Sequence, residues 1–454
     1  MKHMSLQEIA TACGGRYFGD PALLSTEVCG VAIDSRKIEE GYLFIPIKGA
    51  RVDGHDFIPQ VMAAGALCTL SERELAETSH PYILVDHCEQ AMKDIAKHYR
   101  EALDIPVVGI TGSVGKTSTK EMIASVLAQK YHVLKTAGNF NNEIGLPLTI
   151  FNIREEHEVA VLEMGINHFE EMHRLAAMAQ PDICVITNIG LCHLENLGDR
   201  DGVLRAKTEM FDHIRPNAKI ILNGDDDKLI TVKQAHGVQP EFFGLSTDLD
   251  AYATDIHSLS LRGTSCTLHL GDTTIDTTIP IPGEHMVYNA LAGALVGREL
   301  GLTTEEIKAG IETLASVSGR NNMIATDALL IIDDCYNANP VSVKASLDVL
   351  AGADTRKVAI LGDMFELGEN EKELHAECGR YAAEKGIDIL ICIGELSRNT
   401  ARGAEGITCY HFHTKADFFQ ECQNILQNND TVLVKASHGM EFPEIVERLK
   451  ELNL

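Results

Sequence analysis

Residues 105–120 constrain the fold more than any other stretch. An apolar run, Val107 to Ile110, leads into Thr111-Gly-Ser-Val-Gly-Lys-Thr117, after which Met122, Ile123, Val126 and Leu127 recur at helical spacing. Strand, glycine turn and helix in that order predict a phosphate-binding loop on a parallel α/β sheet, with the positive end of the helix facing an anion. Gly112 and Gly115 let the chain turn tightly with its backbone N–H groups pointing inward, and Ser113, Val114 and Ser118 are counted with them among the nucleotide-binding residues. Lys116 can reach the terminal phosphates, and the Thr117 hydroxyl can hold Mg2+. Ile110 stands where the longer consensus has glycine, so the match is to the shorter Gly-x-x-Gly-Lys-Thr form. A nucleoside triphosphate is therefore the first ligand to consider.

A chain of 454 residues exceeds one ordinary core, and about 150 residues per domain predicts roughly two to four domains, with three the working number. Residues 1–85 read as a small α/β unit, with a helix at Ser5 to Cys13, strands at Gly30 to Ile33 and Tyr42 to Ile45, and a helix near Ile58 to Ala64. Residues 86–318 open with a connecting helix over Asp86 to Arg100. They continue with β-branched runs at Val107 to Ile110, Val159 to Glu163, Ile183 to Thr187 and Lys219 to Leu222, separated mostly by helical stretches. Such alternation predicts a parallel sheet covered on both faces. The Thr-rich residues 251–280 read as antiparallel strands appended to it. Residues 319–454 form a further alternating, Rossmann-like set, with strands near Leu329, Val358 to Leu361, Ile389 to Ile393 and Val432 to Val434. The stretch Ser316 to Asn322 reads as the nearest thing to a linker.

Acidic residues outnumber basic ones 66 to 39 with no basic run, which argues against a nucleic-acid partner. Twelve cysteines without a Cys-x-x-Cys pair, and an N-terminus lacking a signal-like apolar core, point to a reducing cytoplasm. No apolar run approaches the roughly 20 residues of a membrane-spanning helix, so membrane insertion is not expected. A monomer is the default expectation.

In open α/β sheets ligands bind beyond the carboxyl ends of the strands. Glu163 ends one strand in Glu-Met-Gly165; His193 follows another, near Glu195; Lys207 lies on the next predicted helix. Singly, each reads as a cap, a loop residue or a solvated charge. Taken with the loop, they resemble the Mur ligase family of ATP-dependent amide-forming enzymes. Asn139-Phe-Asn-Asn-Glu-Ile-Gly-Leu-Pro-Leu-Thr149, Asp333-Asp-Cys-Tyr-Asn-Ala-Asn-Pro340 and Leu361-Gly-Asp-Met-Phe-Glu-Leu-Gly368 look like the branch that adds D-alanyl-D-alanine. Asp34-Ser-Arg36 and Lys48-Gly-Ala-Arg-Val-Asp-Gly-His55 are similar to the part of the family that holds the uridine diphosphate sugar. The resemblance covers essentially the whole chain.

The resemblance implies that the first domain takes a UDP-N-acetylmuramoyl-tripeptide, through Ser35 and Arg36. The second takes ATP, and the third takes D-alanyl-D-alanine. Lys116, Glu163, His193 and Lys207 become the catalytic set. Thr117, Glu163 and His193 help to position Mg2+, and Lys207 is the lysine expected to be N-carboxylated, which converts a cation into a hard oxygen ligand. Asn289 is expected near adenine, Asp334 and Arg320 near ribose and phosphate, and Asn139, Asn142, Tyr336 and Asn337 among the substrate contacts. The chain departs from the family pattern at Met286, where asparagine is common, and at Asn321 and Asn322 after Arg320. The implied reaction passes through an acyl phosphate. The alternatives are a relative adding a single amino acid, a P-loop kinase or switch, and an inactive binding protein. The chain lacks the Asn-Lys-x-Asp segment of a regulatory GTPase, and it retains Lys116, Glu163 and Lys207.

Overall fold

The strand, turn and helix at residues 105–120 are present in the computed structural model, which describes residues 4–75, 80–452 and 454. Val107–Thr111 is a strand buried along its whole length, and the helix Lys116–Leu127 follows with Gly115 as its N-cap at φ +83°. Side chains of that strand alternate between two cores, as a period of two requires. Val108 and Ile110 join Met122, Ile123 and Val126 on one face. Val107 joins Ile95 and Tyr99 on the other.

Among the described residues the strands form three sheets, of five, nine and six strands. In the nine-stranded sheet Val107–Thr111 lies between Val159–Glu163 and Ile183–Ile186, parallel to both. The strand order reverses there, which opens a crevice at the carboxyl ends. Lys219–Asn223, Glu241–Gly244 and Ala251–Ser258 extend the parallel part. Thr264–Leu270 and Thr273–Ile279 close it as the expected antiparallel appendage. Short strands such as Val133–Lys135 and Glu241–Gly244 went unread because three or four residues, with a lysine or glutamate at one end, carry too little periodicity.

The helix Cys88–Glu101 ties the N-terminal sheet to the central one. Its Arg100 is fully buried, donating to the carbonyls of Leu103, Ala179 and Gln180 and to Asp182 Oδ2 at 2.8 Å. Asp182 also accepts the N–H of Val107, so the same pair sets the start of the strand that carries the loop. Across the sheet the helix His285–Glu299 presents Gly293 and Gly297 to the loop helix. A Cβ at 293 would lie 3.0 Å from Met122 and one at 297 would lie 2.8 Å from Val126, so the absence of side chains permits the close approach.

In the six-stranded sheet Leu329–Asp333, Asp430–Lys435 and Lys357–Gly362 run parallel side by side, and Asn322–Ala325 is an antiparallel edge. The stretch Ser316 to Asn322 is a tight, packed turn instead of a loose linker. Arg320 N–H donates to Val317 O at 3.0 Å and Gly319 N–H donates to Asp333 Oδ2 at 2.8 Å. The turn faces the loop helix and carries Arg320 and Asn321 toward it.

Candidate active site

The glycine loop is held in shape by the end of the neighbouring strand. Gly112 has φ +153°, and a Cβ there would lie 1.9 Å from Thr187 Oγ1. Thr187 Oγ1 donates to Val114 O at 2.6 Å, while the Asn188 side chain accepts from Val114 N–H and donates to Val114 O, both at 2.9 Å. Ser113 Oγ accepts the N–H of Gly190. Lys116 Nζ folds back onto Gly112 O at 2.9 Å. Burial pulls Lys116 below the ordinary lysine value, with Glu163 opposing.

At the head of the loop, Glu163 is 2% exposed. Its carboxylate accepts from Thr117 Oγ1 at 3.0 Å and from Asn141 Nδ2 at 2.8 Å, and Lys120 Nζ lies 3.9 Å away. Lys120 is itself buried and donates to Thr136 O at 2.7 Å, and Thr136 Oγ1 accepts the N–H of Glu163. Arg320 crosses from the C-terminal domain to donate to Thr117 Oγ1 at 3.2 Å, with its guanidinium 4.1 Å from the centre of the Tyr336 ring. Loop, strand end and C-terminal turn thus meet at one hydroxyl.

His193 caps the short helix Leu194–Leu197 with φ +52° and brings Nδ1 to 3.0 Å from Glu366 Oε2, again across the two domains. Burial lowers its pKa first, with Lys207 and Lys116 adding to the effect and Glu366 opposing it. A proton on Nδ1 facing the carboxylate leaves Nε2 as the open lone pair of the neutral ring. Lys207, on the helix Arg200–Thr208, is 1% exposed. Burial and then the Lys116 ammonium pull it down to about 8.

The remaining wall comes from the C-terminal sheet. Asp334 Oδ2 accepts from Ser346 Oγ at 2.5 Å and from Lys435 Nζ at 2.6 Å, and Lys435 also donates to Asn337 O at 3.0 Å. Asn289 Oδ1 accepts from Thr119 Oγ1 at 2.8 Å, and its Nδ2 lies 3.2 Å from Met286 Sδ. The residue that departs from the family pattern is thus buried against the one that keeps it. Asn142 Oδ1 accepts the N–H of Gly145 at 2.8 Å, starting the helix Gly145–Phe151.

These groups line a cavity of about 560 Å3 between the central and C-terminal domains. The loop residues 113–118, Asn139, Asn142, Glu163, His193, Asn289, Arg320, Asp334, Tyr336 and Asn337 all line it. Gly112 and Lys207 are not among its lining residues. Ser35 and Arg36 are not part of it either: Arg36, with its side chain 83% exposed, forks onto Asp34 in the N-terminal domain.

Asn141, Lys120, Asn188, Glu366 and Lys435 are the site residues that sequence reasoning passed over. Asn141 sits inside the asparagine-rich run already singled out, and Lys435 ends an apolar strand; both positions carried a signal. Glu366 sits inside the singled-out Leu361–Gly368 run, but its contact to His193, 173 residues away, and that of Asn188 to Val114, 74 residues away, are made only by the tertiary fold.

Among the described residues no group of three or more His, Cys, Asp or Glu side chains gathers into a metal nest. What the site offers is one carboxylate, one hydroxyl and one imidazole beside the phosphate loop. That suits Mg2+, which is commonly held by one or two carboxylates together with ligand phosphates and water.

Comparison with known proteins covers nearly the whole chain. The Mur ligase family catalytic domain matches residues 27–100, the Mur ligase middle domain residues 110–297, and the Mur ligase glutamate ligase domain residues 319–438. The UDP-N-acetylmuramoyl-tripeptide--D-alanyl-D-alanine ligase of Bacillus subtilis (strain 168) is 39% identical over 441 residues, 95% of each chain. The enzyme of the same name from Escherichia coli (strain K12) is 35% identical over 93% of each. A crystal structure of MurF from Acinetobacter baumannii has a TM-score of 0.92 at 32% identity, covering 99% of both chains. MurF ligase from Thermotoga maritima in complex with ADP has a TM-score of 0.82 at 29% identity, covering 93% of this chain and 97% of that one.

Proposed function

The chain belongs to the Mur ligase family, and from that premise we infer that it is the ATP-dependent ligase joining D-alanyl-D-alanine to UDP-N-acetylmuramoyl-tripeptide in peptidoglycan precursor synthesis. The observation that carries this reading is the meeting of Lys116, Thr117, Glu163 and Arg320 in the wall of a cavity lined by two domains. A triphosphate on the loop directs its terminal phosphate toward that junction.

The terminal carboxylate of the tripeptide attacks the γ-phosphorus, ADP leaves, and the carboxyl becomes an acyl phosphate. The amine of D-alanyl-D-alanine then attacks the carbonyl carbon, inorganic phosphate departs, and the amine proton is lost as the amide forms. A carboxylate is a poor electrophile and an acyl phosphate a good one. Phosphoryl transfer asks mainly for positioning and charge neutralisation. Lys116 and Arg320 supply cationic charge, and the Ser118 N–H in the first turn of the loop helix serves the phosphates, whereas the N–H groups of Ser113 and Val114 are taken by Asn188 and shape the loop instead. Thr117, Glu163 and His193 would hold Mg2+, which when bound neutralises phosphate charge. Glu366 orients His193 from behind.

Lys207 is the lysine to be N-carboxylated: its neutral amine adds to CO2, an N–C bond forms and a proton leaves. Burial that brings Lys207 down to about 8 supports this, because only the unprotonated amine reacts. Residues 1–85 serve the nucleotide sugar, with Ser35 and Arg36 as contacts. Residues 86–318 serve ATP, with Asn289 near the base. Residues 319–454 serve the dipeptide, with their Tyr336 and Asn337, and Asn139 and Asn142 of the central domain, lining the approach. Domain closure brings the three ligands together. The enzyme works as a monomer in the cytoplasm. Its twelve cysteines are free, in keeping with a reducing compartment, and no helix among the described residues is long and apolar enough to cross a membrane.

Phosphate release from ATP, measured with both acceptors and with each omitted, tests the assignment. Full turnover requires both. Equal turnover with a single amino acid in place of the dipeptide would overturn it.

A further inference from the structure

Two histidines that do not line the cavity converge elsewhere on the central domain. His173, on the helix Glu171–Ala179, and His213, ending the short helical turn Glu209–His213, bring their Nε2 atoms to 3.2 Å from each other. The ring planes cross at 65° with centres 4.4 Å apart, so the rings meet at an edge and do not stack. The reaction proposed above uses neither of them.

The surroundings hold this meeting in place. His173 Nδ1 lies 2.8 Å from Asp212 Oδ2, and the carboxylate fixes the proton on that nitrogen, so Nε2 carries the lone pair. The other carboxylate oxygen, Oδ1, lies 3.8 Å from His236 Nε2. Glu209 accepts the N–H of Glu170 at 3.0 Å and that of His173 at 3.4 Å, which ties the start of the helix to the turn. The charges around the pair are thus the carboxylates of Glu170, Glu209 and Asp212 against the ammonium of Lys97, with His236 alongside. That balance favours a cation.

A hydrogen bond from His213 Nε2–H to His173 Nε2 satisfies the two rings by themselves. The same spacing suits a shared ion, because two nitrogens about 2.0 Å from one tetrahedral centre lie about 3.3 Å apart. Moving the His213 proton to Nδ1 opens both Nε2 lone pairs without releasing a proton. Neutral imidazoles select Zn2+ and similar ions over Mg2+, which prefers oxygen, and a carboxylate behind a ligating histidine is the usual support.

We propose that His173 and His213 form a binding site for a divalent transition metal of the Zn2+ type, with Asp212 as the positioning residue behind His173 and water completing the shell. Two protein ligands accord with the lack of any three-residue metal group among the described residues, and they make the ion exchangeable. The site is separate from the Mg2+ position at Glu163 and His193. It joins the helix Glu171–Ala179 to the turn that directly follows the helix carrying Lys207.

Calorimetric titration of ZnCl2 into the full-length protein, stripped with EDTA and dialysed into Mg2+ buffer, tests it. The wild type is expected to take up one more equivalent of Zn2+ than either His173→Gln or His213→Gln, a difference that separates this site from the other histidines and the free cysteines. Asp212→Asn is expected to keep the equivalent at about 10- to 100-fold lower affinity, and His236→Gln to match the wild type. Melting curves in EDTA verify that each variant is folded, and Zn2+ is expected to raise the melting temperature of the wild type more than that of either histidine variant. Titration with CoCl2 adds a signature of the ligands: visible absorption bands present in the wild type and missing from both histidine variants. Equal Zn2+ uptake by the wild type and the histidine variants, loss of the equivalent in only one of them, wild-type affinity in Asp212→Asn, or loss in His236→Gln would overturn the proposal.

Discussion

Glu163 at the head of the glycine loop is 2% exposed and already accepts hydrogen bonds from Thr117 and Asn141. Arg36 in the N-terminal domain has 83% of its side chain in solvent and forks onto Asp34 two residues away. Both are polar groups assigned to phosphate-bearing ligands, yet one is held by residues from distant parts of the chain and the other by its own turn. The loop region is organised before its ligand arrives, by Thr187, Asn188 and Thr136 as well as by the glycines. The N-terminal turn holds Arg36 only through Nε and one terminal nitrogen on Asp34, with the rest of the guanidinium in solvent. Arg36 holds the Asp34 carboxyl well below the usual carboxylate range, so the pair stays charged across the physiological range. Its partners cannot contribute much to stability in water. Mutations in the first region are therefore expected to affect chemistry and folding, and those in the second affinity alone.

The largest effect is expected at Lys116. Lys116→Ala removes the ammonium proposed to neutralise the phosphates, and kcat is expected to fall by about 10^3-fold or more, in line with losing a charged contact made in the transition state. Steady-state phosphate release checks it; wild-type turnover would remove the loop from the chemistry. Gly112→Ala comes next. A Cβ there collides with Thr187, so nucleotide affinity is expected to fall by about 10^2-fold and the melting temperature to drop by several degrees. Unchanged nucleotide binding would show that the loop is not pre-shaped.

Lys207 gives a pH test. Its folded value of about 8 lies below the ordinary 10.5, so the folded protein releases this proton earlier than the unfolded chain. Stability is therefore expected to rise with pH between about 8 and 10.5 in CO2-free buffer, and the rise to shrink once bicarbonate has modified the side chain. Melting curves with and without bicarbonate decide the point; identical curves would count against the carbamate. The smallest effect is expected for Arg36→Ala, roughly tenfold in KM for the nucleotide sugar with KM for ATP unchanged. A selective ATP defect would erase the contrast between the two regions.

Much of the fold was readable because the strands of the two larger sheets are long, buried and β-branched, and because the glycine loop has few alternative conformations. Glu163 was readable as a polar residue ending such a strand. Asn321 was visible only as an odd continuation after Arg320. Its place in the cavity wall depends on Asp334, His285 and the turn at Val317 to Arg320, none of which local periodicity brings together. Lys435 became part of the site only when its strand paired beside Leu329–Asp333 and its ammonium met Asp334, 101 residues away in the chain. Short, charged edge strands and cross-domain contacts were illegible for the same reason: tertiary packing creates them.

The acyl phosphate route is tested most directly by following oxygen. With 18O in the terminal carboxylate of the tripeptide, the released inorganic phosphate is predicted to carry one labelled oxygen per turnover, because that oxygen bridges carbon and phosphorus before the amine displaces it. Phosphate free of label, formed alongside the amide product, would contradict the account.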